Sequence, residues 1–257
     1  MFFEKLFTLK DKVAFISGAS GGLGLHMASV LAQAGAAVAL AARRVEQVEK
    51  AAAELAAKGH RACGVYLDVT AADTIKAAFD KTEQLLGAPV DVLVNSAGVL
   101  YAKKFIDQEQ SEVSRVFDTN LKGTFLVGQE AARRMLKCGR GSIINVASTA
   151  GLRSGGYISS YGTSKAGLIH LTNMMALELS GKGVRVNTLC PGNFETDMQK
   201  VFEEQGFTET LLRRTPQRRF GAPEDLDGAL LLLASDAGRY MTGAIITVDG
   251  GQSVSWM

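Results

Sequence analysis

A tyrosine and a lysine stand four residues apart, as Tyr161 and Lys165, at the start of a segment whose apolar pattern predicts a helix. Residues at this spacing share one face of a helix and lie adjacent. A phenol of pKa ~10 exchanges protons poorly at neutral pH, but a cation ~4 Å away at an effective dielectric of ~20 is worth ~4 kcal/mol, or about three pKa units. The pair therefore predicts a general acid/base in which Lys165 lowers the pKa of Tyr161. Ser148, at the end of a predicted strand, is the candidate that holds the oxygen of a substrate.

A glycine-rich turn follows the first apolar run of the chain and precedes a helical segment. Glycine between a buried strand and the N-terminus of a helix lets the backbone approach a pyrophosphate, whose charge is stabilised by free N–H groups and the helix dipole. The turn therefore predicts a dinucleotide site. Its candidate contacts are Gly18, Ser20, Gly22, Leu23 and Gly24.

The end of the second apolar run indicates which dinucleotide binds. Sites specific for NAD place an Asp or Glu there to bind the ribose hydroxyls, whereas this chain has Arg43 and Arg44 and no carboxylate. A guanidinium pairs with a 2′-phosphate through a charge-assisted contact of ~1.5–3 kcal/mol, roughly tenfold to a hundredfold in affinity. The sequence therefore favours NADP(H), with Arg43 on the phosphate. The alternative is NAD(H), with both arginines facing solvent.

Short, continuously apolar runs must position these residues. They alternate with amphipathic segments such as residues 45–58 and 73–86, in which apolar residues recur every three or four positions. This alternation is typical of βαβ units, whose strands are buried on both faces of a parallel sheet. The sequence predicts an α/β fold, with one Rossmann-type domain over residues 1–257 and a doubly wound sheet of about seven strands flanked by helices on both faces. The runs are residues 13–17, 37–42, 64–69, 90–94, 142–147, 184–189 and 244–248.

A long segment without a strand pattern, about residues 193–222, interrupts this alternation. An insertion of this length in a compact domain is typical of a lid or a binding loop, so we expect a small helical lid over the substrate. Four arginines in it are candidate contacts for a phosphate or carboxylate on the substrate; alternatively they face solvent or another subunit. They are Arg213, Arg214, Arg218 and Arg219.

Composition disfavours several classes of protein. Of 257 residues 47% are hydrophobic and the net charge is +2, which argues against a disordered chain and against a strongly basic nucleic-acid-binding surface. The sequence shows neither a signal peptide nor an uncharged apolar stretch of ~18 residues. We therefore expect a cytoplasmic protein without a nucleic-acid or membrane partner. Three separated cysteines and three scattered histidines predict no metal site.

Together these motifs resemble those of the short-chain dehydrogenase/reductase family, in its single-domain branch, from Leu9 to Gly251. The glycine-rich turn resembles the family's TGxxxGxG, with Ser17 in place of Thr, and residues 95–98 resemble NNAG, with Ser96 in place of the second Asn. The resemblance implies a catalytic tetrad of Asn120, Ser148, Tyr161 and Lys165. It also implies further dinucleotide contacts at Asp68, Val69, Asn95, Ala97, Gly98, Tyr161, Lys165, Pro191, Gly192 and Thr196.

From the resemblance we expect an NADP(H)-dependent oxidoreductase that reduces a ketone, or oxidises the secondary alcohol, by hydride transfer. Tyr161 protonates the carbonyl oxygen, Ser148 orients it, and Lys165 binds the nicotinamide ribose, while a water held by Asn120 joins a proton relay.

The resemblance leaves the substrate open. One reading is a 3-oxoacyl-type reductase that docks an acyl carrier protein through basic residues such as Arg133 and Lys182. The alternative is an NAD-dependent polyol, sugar or small secondary-alcohol dehydrogenase, and a remote one is a dinucleotide-binding regulator without turnover. By the same resemblance we expect a homotetramer or a dimer.

Overall fold

The computed structural model describes residues 2–196 and 206–255. The strands within them are Val13–Ser17 (β1), Ala37–Ala42 (β2), Ala62–Tyr66 (β3), Val92–Asn95 (β4), Gly141–Val146 (β5), Val184–Pro191 (β6) and Ile245–Val248 (β7). They form a single sheet in the order β3-β2-β1-β4-β5-β6-β7, and every neighbouring pair is parallel. The predicted Rossmann-type α/β fold is therefore confirmed.

Helices cover both faces of this sheet. In the described part of the chain they are Phe2–Phe7 (α1), Gly22–Gln33 (α2), Val45–Ala57 (α3), Ala72–Leu86 (α4), Gln110–Phe117 (α5), Thr124–Cys138 (α6), Ser159–Leu179 (α7), Thr208–Arg214 (α8) and Asp227–Ala234 (α9). Side chains of β1 alternate between two cores: Ala14 and Ile16 pack with α2, α3 and α9, whereas Phe15 packs with α4, α6 and α7. Because both faces are covered, strands such as β1 and β2 bury side chains at every successive position.

Strand β3 ends at Tyr66, whereas the predicted strand extends over residues 64–69. The earlier end changes the position of two candidate residues. Asp68 turns the chain just beyond β3, because its Oδ1 accepts hydrogen bonds from the backbone N–H of Thr70 at 2.9 Å and from the Thr70 hydroxyl at 2.7 Å. Such aspartate turns compete with a strand ladder. Asp68 and Val69 therefore lie in the loop after the strand.

A π-helical turn, Asp118–Gly123, joins α5 to α6. Single turns of this kind widen a helix locally and are frequent at functional sites. Asn120 lies within the turn and is fully buried, and its Nδ2 donates to Oγ of Ser164 on α7 at 3.1 Å. This hydrogen bond joins the π-helical turn between α5 and α6 to α7, the helix that carries Tyr161.

The predicted lid, about residues 193–222, is described at its two ends only, because residues 197–205 lie outside the described residues. Phe194 forms a parallel bridge with Gly221 and is buried, so the two ends meet. Between residue 206 and that bridge, α8 is the one helix described. Across the described chain, no helix has the length and hydropathy that a membrane crossing requires.

Candidate active site

A cavity of about 1160 Å³ lies at the carboxyl edge of the sheet. Its walls come from the loops that follow β1 to β6 and from α8. The strand order reverses direction between β1 and β4, and open α/β sheets bind ligands in the crevice at such a switch point. Most of the candidate site residues named from the sequence line this cavity, although they are spread over much of the chain, whereas Asn95 and Asn120 do not line it.

The glycine-rich turn lines one end of the cavity with bare backbone. Gly18 has φ +73°, and a Cβ there would lie 2.7 Å from Cα of Ala97, while a Cβ on Gly24 would overlap the carbonyl oxygen of Gly18. No side chain caps the N-terminus of α2, which begins at Gly22. Free N–H groups and the positive end of the helix dipole thus face the cavity, an arrangement that fits a pyrophosphate.

Both arginines after β2 line the same end of the cavity and are exposed. Arg44 donates from Nη2 to Oγ of Ser20 at 2.8 Å and from Nε at 3.3 Å, so it is held against the glycine-rich turn. Arg43 lies close to Asp68: burial raises the pKa of that carboxyl, but hydrogen bonds from Thr70 and the charge of Arg43 bring it below its ordinary value. The sequence assigned the phosphate contact to Arg43 alone, whereas the structure brings a second guanidinium beside it.

Ser148 and Tyr161 meet at the middle of the cavity wall. Ser148 lies two residues beyond β5 rather than at its end, and its Oγ accepts from the N–H of Ala150 at 3.1 Å. Ser148 lies close enough to Tyr161 to lower the pKa of its phenol, and the Tyr161 side chain is 9% exposed. A substrate oxygen in the cavity can therefore reach both hydroxyls.

Lys165 lies one helical turn after Tyr161, as its spacing predicts, but its ammonium does not bond to the phenol. Nζ donates to the carbonyl of Val146 at 2.9 Å and lies 5.8 Å from the centre of the Tyr161 ring. Burial lowers the pKa of Lys165 to about 8. Burial also raises the pKa of Tyr161 above its ordinary value, and the nearby Ser148 opposes that rise only in part. The chain alone therefore does not show the predicted lowering of the Tyr161 pKa by Lys165, because desolvation is the largest effect on the phenol.

Asn120 holds the loop after β4 against α7. Its Oδ1 accepts from the N–H of Val99 at 2.8 Å, and its Nδ2 donates to the carbonyl of Val99 at 2.9 Å. A Cβ on Gly98 would lie 3.4 Å from that Oδ1 and 3.5 Å from Nζ of Lys165, so these three residues converge. Asn120 thus fixes the backbone that faces the lysine.

The Asn95 side chain lies beneath this loop. It is buried, and its Nδ2 donates to Oδ1 of Asn145 on β5 at 2.9 Å. The N–H groups of Ser96 and Ala97 are instead bound by Oγ of Ser17, at 3.2 and 3.3 Å. The hydroxyl of Ser17 thus joins the ends of β1 and β4 at the switch point.

The segment after β6 forms the far wall of the cavity and contains Pro191, Gly192 and Thr196. Two lining residues carry buried polar atoms without a partner, Nδ2 of Asn193 in this segment and Oε1 of Gln252 after β7. An unpaired buried donor and acceptor cost free energy unless a ligand satisfies them. A carboxamide such as that of nicotinamide offers both groups, so the donor set fits a nicotinamide dinucleotide.

Sequence reasoning missed several residues that line the cavity beyond Tyr161. They are Arg153, Tyr157, Ile158, Asn193 and Gln252. They fall in irregular loops or follow the last strand, where no periodicity of the sequence marks a buried side. One signal could have found Asn193, namely its position directly after Pro191-Gly192. The rings of Tyr157 and Phe207 lie 5.5 Å apart, which brings α8 onto the loop before α7.

The histidines and cysteines do not gather. Among residues 2–196 and 206–255, no group of three or more His, Cys, Asp or Glu side chains is arranged to hold a metal ion. Nε2 of His26 lies 2.7 Å from Oδ1 of Asp227, a pair that joins α2 to α9.

Comparisons with known proteins point to one family. A family model described as enoyl-(acyl carrier protein) reductase matches residues 18–253. The chain is 36% identical over 244 residues to a 3-oxoacyl-[acyl-carrier-protein] reductase of Aquifex aeolicus, which covers 95% of this chain and 98% of that one. It is 35% identical over 251 residues to a gluconate 5-dehydrogenase of Gluconobacter oxydans, with 97% and 98% covered.

A solved structure shares the whole architecture. The gluconate 5-dehydrogenase of Burkholderia cenocepacia, in complex with NADP and tartrate, superposes with a TM-score of 0.95 at 32% identity, and the match covers 98% of this chain and 99% of that one. The matching family model, the relatives similar over almost their full length and the shared fold all indicate the same protein family. The chain belongs to the short-chain dehydrogenase/reductase family of oxidoreductases, in its branch of about 250 residues.

Proposed function

We propose that the protein is an NADP(H)-dependent oxidoreductase that reduces a ketone, or oxidises the corresponding secondary alcohol, with Asn120, Ser148, Tyr161 and Lys165 as its tetrad. The observation that carries this proposal is that Ser148, Tyr161 and Lys165 line one cavity together, with the buried Lys165 one turn after Tyr161 on the same helix. We include in the proposal a single domain over residues 1–257 whose lid spans about residues 193–222.

The dinucleotide, when bound, supplies or accepts the hydride. Ser148 orients the carbonyl oxygen, and Tyr161 donates its proton to that oxygen as negative charge develops on it. Because burial keeps the pKa of Tyr161 above its ordinary value, the phenol is protonated at neutral pH and ready for reduction. Lys165 binds the nicotinamide ribose, and Asn120 keeps the Val99 loop in place and joins the path by which protons return.

The dinucleotide preference rests on charge. Arg43 and Arg44 both line the cavity, and no carboxylate stands at the end of β2 to repel a phosphate. A guanidinium fork binds a phosphate bidentately, and three relatives of known structure were solved with NADP. NADP(H) is therefore the cofactor we propose, with NAD(H) as the alternative. The contacts are Gly18, Ser20, Gly22, Leu23, Gly24, Arg43, Asp68, Val69, Asn95, Ala97, Gly98, Tyr161, Lys165, Pro191, Gly192 and Thr196.

Two substrate classes have support. Similarity to the Aquifex aeolicus enzyme favours a 3-oxoacyl group on an acyl carrier protein, and the side chain of Arg133 is 62% exposed, as a docking residue must be. Similarity to gluconate 5-dehydrogenases and to a galactitol 2-dehydrogenase of Cereibacter sphaeroides favours a sugar acid or polyol. Reduction of 3-oxoacyl carrier protein compared with that of a free keto sugar acid distinguishes these classes.

We also propose that the protein assembles as a homotetramer or dimer and acts in the cytoplasm. Apolar side chains on α6 and α7 stay exposed in the single chain, Phe125 by 47%, Met174 by 46% and Leu177 by 78%. Their clustering on two neighbouring helices suits a subunit interface. A monomeric profile in light scattering would remove the proposed assembly.

The first experiment measures NADPH binding and turnover. We expect NADPH to bind at least tenfold more tightly than NADH and to be consumed with a panel of ketones. Tyr161→Phe should lower turnover at least ~10²-fold, since it removes the general acid, and should leave NADPH binding almost unchanged. A Tyr161→Phe enzyme with more than about a tenth of the wild-type rate would contradict the assignment. Consumption of NADPH excludes the non-catalytic regulator.

A further inference from the structure

The part of the cavity beyond Tyr161 is covered by α8. Phe207, Leu211 and Arg214 all line it, and their spacing of four and three residues places them on one side of this helix. Arg213, the neighbour of Arg214, does not line the cavity, although both side chains are exposed. The helix therefore directs one of its two arginines toward the substrate space and the other away from it.

The two later lid arginines are engaged elsewhere. Arg219 binds Asp225 through both terminal nitrogens, Nη1 at 2.5 Å and Nη2 at 3.0 Å, and Arg218 donates to the carbonyl of Arg213. Arg214 has no hydrogen-bond or ion-pair partner among residues 2–196 and 206–255. Its donors are thus available to a ligand in the cavity.

The charges on the cavity wall are divided between its two ends. The described carboxylate on the wall, Asp68, belongs to the dinucleotide end, with Arg43 and Arg44. The substrate end has Arg153 and Arg214, and no described Asp or Glu lines it. Net positive charge in a partly enclosed site concentrates the field on a negatively charged ligand.

Arg153 is already fixed at this end. Its Nη1 donates to the carbonyl of Ser253 at 2.5 Å and its Nη2 to that of Ser255 at 3.4 Å, so it ties the C-terminal segment to the loop after β5. Arg153 therefore contributes positive charge to the wall. The guanidinium nitrogens of Arg214 can bind a ligand bidentately, because they have no partner in the described part of the chain.

We infer that the carbonyl substrate carries an anionic group, which Arg214 binds from the lid while Ser148 and Tyr161 hold the carbonyl. Carboxylate, sulfonate and phosphate share the planar or pyramidal array of oxygens that a guanidinium fork recognises. The apolar side chains of Phe207 and Leu211 line the cavity beside Arg214, and the ring of Tyr157 packs on Phe207. This inference rests on the proposed function, because it names the substrate class of the same site.

The test uses methyl ketones that carry a terminal carboxylate, sulfonate or phosphonate at several chain lengths, each compared with its neutral methyl ester or amide. With wild-type enzyme and NADPH, we expect kcat/KM for the best anion to exceed that for its neutral partner at least tenfold, and the three arms show which anion is preferred. Arg214→Ala should bring this ratio close to one. The matched control Arg213→Ala removes an equal charge from the adjacent position and should leave the ratio at the wild-type value.

A second measurement needs no turnover and separates the proposed function from the inferred anion site. NADPH-saturated protein should gain thermal stability from the anionic ketones and not from the esters, and Arg214→Ala should abolish that gain. Stabilisation without NADPH consumption would overturn the proposed function and keep the anion site. Turnover with equal rates for anions and esters, or an anion preference that Arg214→Ala leaves intact, would overturn the inference and keep the proposed function.

Discussion

The ammonium of Lys165 lies 5.8 Å from the centre of the Tyr161 ring and gives its hydrogen bond to the carbonyl of Val146 on β5. Helical spacing brings the two residues side by side, yet both are buried, and burial disfavours the charged form of each. The phenol is therefore a weaker acid and the ammonium a stronger one than in water. Both shifts can be tested through pH.

The stability of the protein should depend on Lys165 between about pH 8 and pH 10.5. The folded protein releases the lysine proton at a pKa of about 8, whereas the unfolded chain keeps it up to the ordinary value of 10.5. Between these values the unfolded state binds more protons, so the cost of burying the lysine falls and the protein becomes more stable as pH rises. Below pH 8 it costs free energy, because a charge is buried.

Lys165→Met removes this dependence. We expect the unfolding free energy of the variant, relative to wild type, to fall by about 3 kcal/mol as pH rises through this window. Urea denaturation at about pH 7 and about pH 10 measures the difference. Parallel pH curves for the two proteins would show that the lysine titrates normally in the folded state.

The raised pKa of Tyr161 should govern the oxidative direction, in which the phenolate is the base. The rate of alcohol oxidation should rise with pH through neutrality, by up to about tenfold per unit while the pH lies below the pKa. The nearby Ser148 lowers that pKa. The oxidative profile of Ser148→Ala should therefore move further to alkaline pH, which its residual activity can report. A profile that is level between about pH 6 and pH 8, or an acid shift in the variant, would contradict the assignment of Tyr161 as the base.

The sequence predicts the sheet and the spacing of Tyr161 and Lys165 because both follow local periodicity. The predicted ends of the strands are wrong where a side chain turns the backbone out of the sheet, as Asp68 does after β3. It names Arg44 and the four lid arginines without separating their roles, because those roles depend on distant partners such as Ser20 and Asp225. The directions of the Tyr161 and Lys165 pKa shifts cannot be predicted from the sequence, since burial is a property of the packed fold.

The NADPH preference should depend on both arginines after β2. Arg43→Ala should weaken NADPH binding at least tenfold and leave NADH almost unchanged, because only NADPH has the 2′-phosphate. Arg44→Ala should act in the same direction, since it also frees the hydroxyl of Ser20. Lys50→Ala removes an equal charge from the exposed side of α3 and is the matched control. Fluorescence titration of both cofactors measures the four proteins. Equal losses for NADH and NADPH would place the arginines away from the 2′-phosphate.

Asn120 should matter for both stability and turnover. Asn120→Ala leaves the part-buried N–H and carbonyl of Val99 without the partners they have at 2.8 and 2.9 Å. Each unsatisfied group costs about 1–3 kcal/mol, so we expect the unfolding free energy to drop by about 2–4 kcal/mol in urea denaturation. Because the same loop faces Lys165, kcat should fall as well.

A control of similar cost separates these two effects. Val116→Ala, at a fully buried position of α5, should destabilise the protein by about 2 kcal/mol through lost burial and a small cavity. The apolar side chain of Val116 takes no part in the hydrogen bonds between Asn120 and Val99. The kcat of this variant should therefore stay at the wild-type value under conditions where both variants are folded. If Asn120→Ala and Val116→Ala lower kcat equally, the turnover defect follows from lost stability, and Asn120 does not position the lysine.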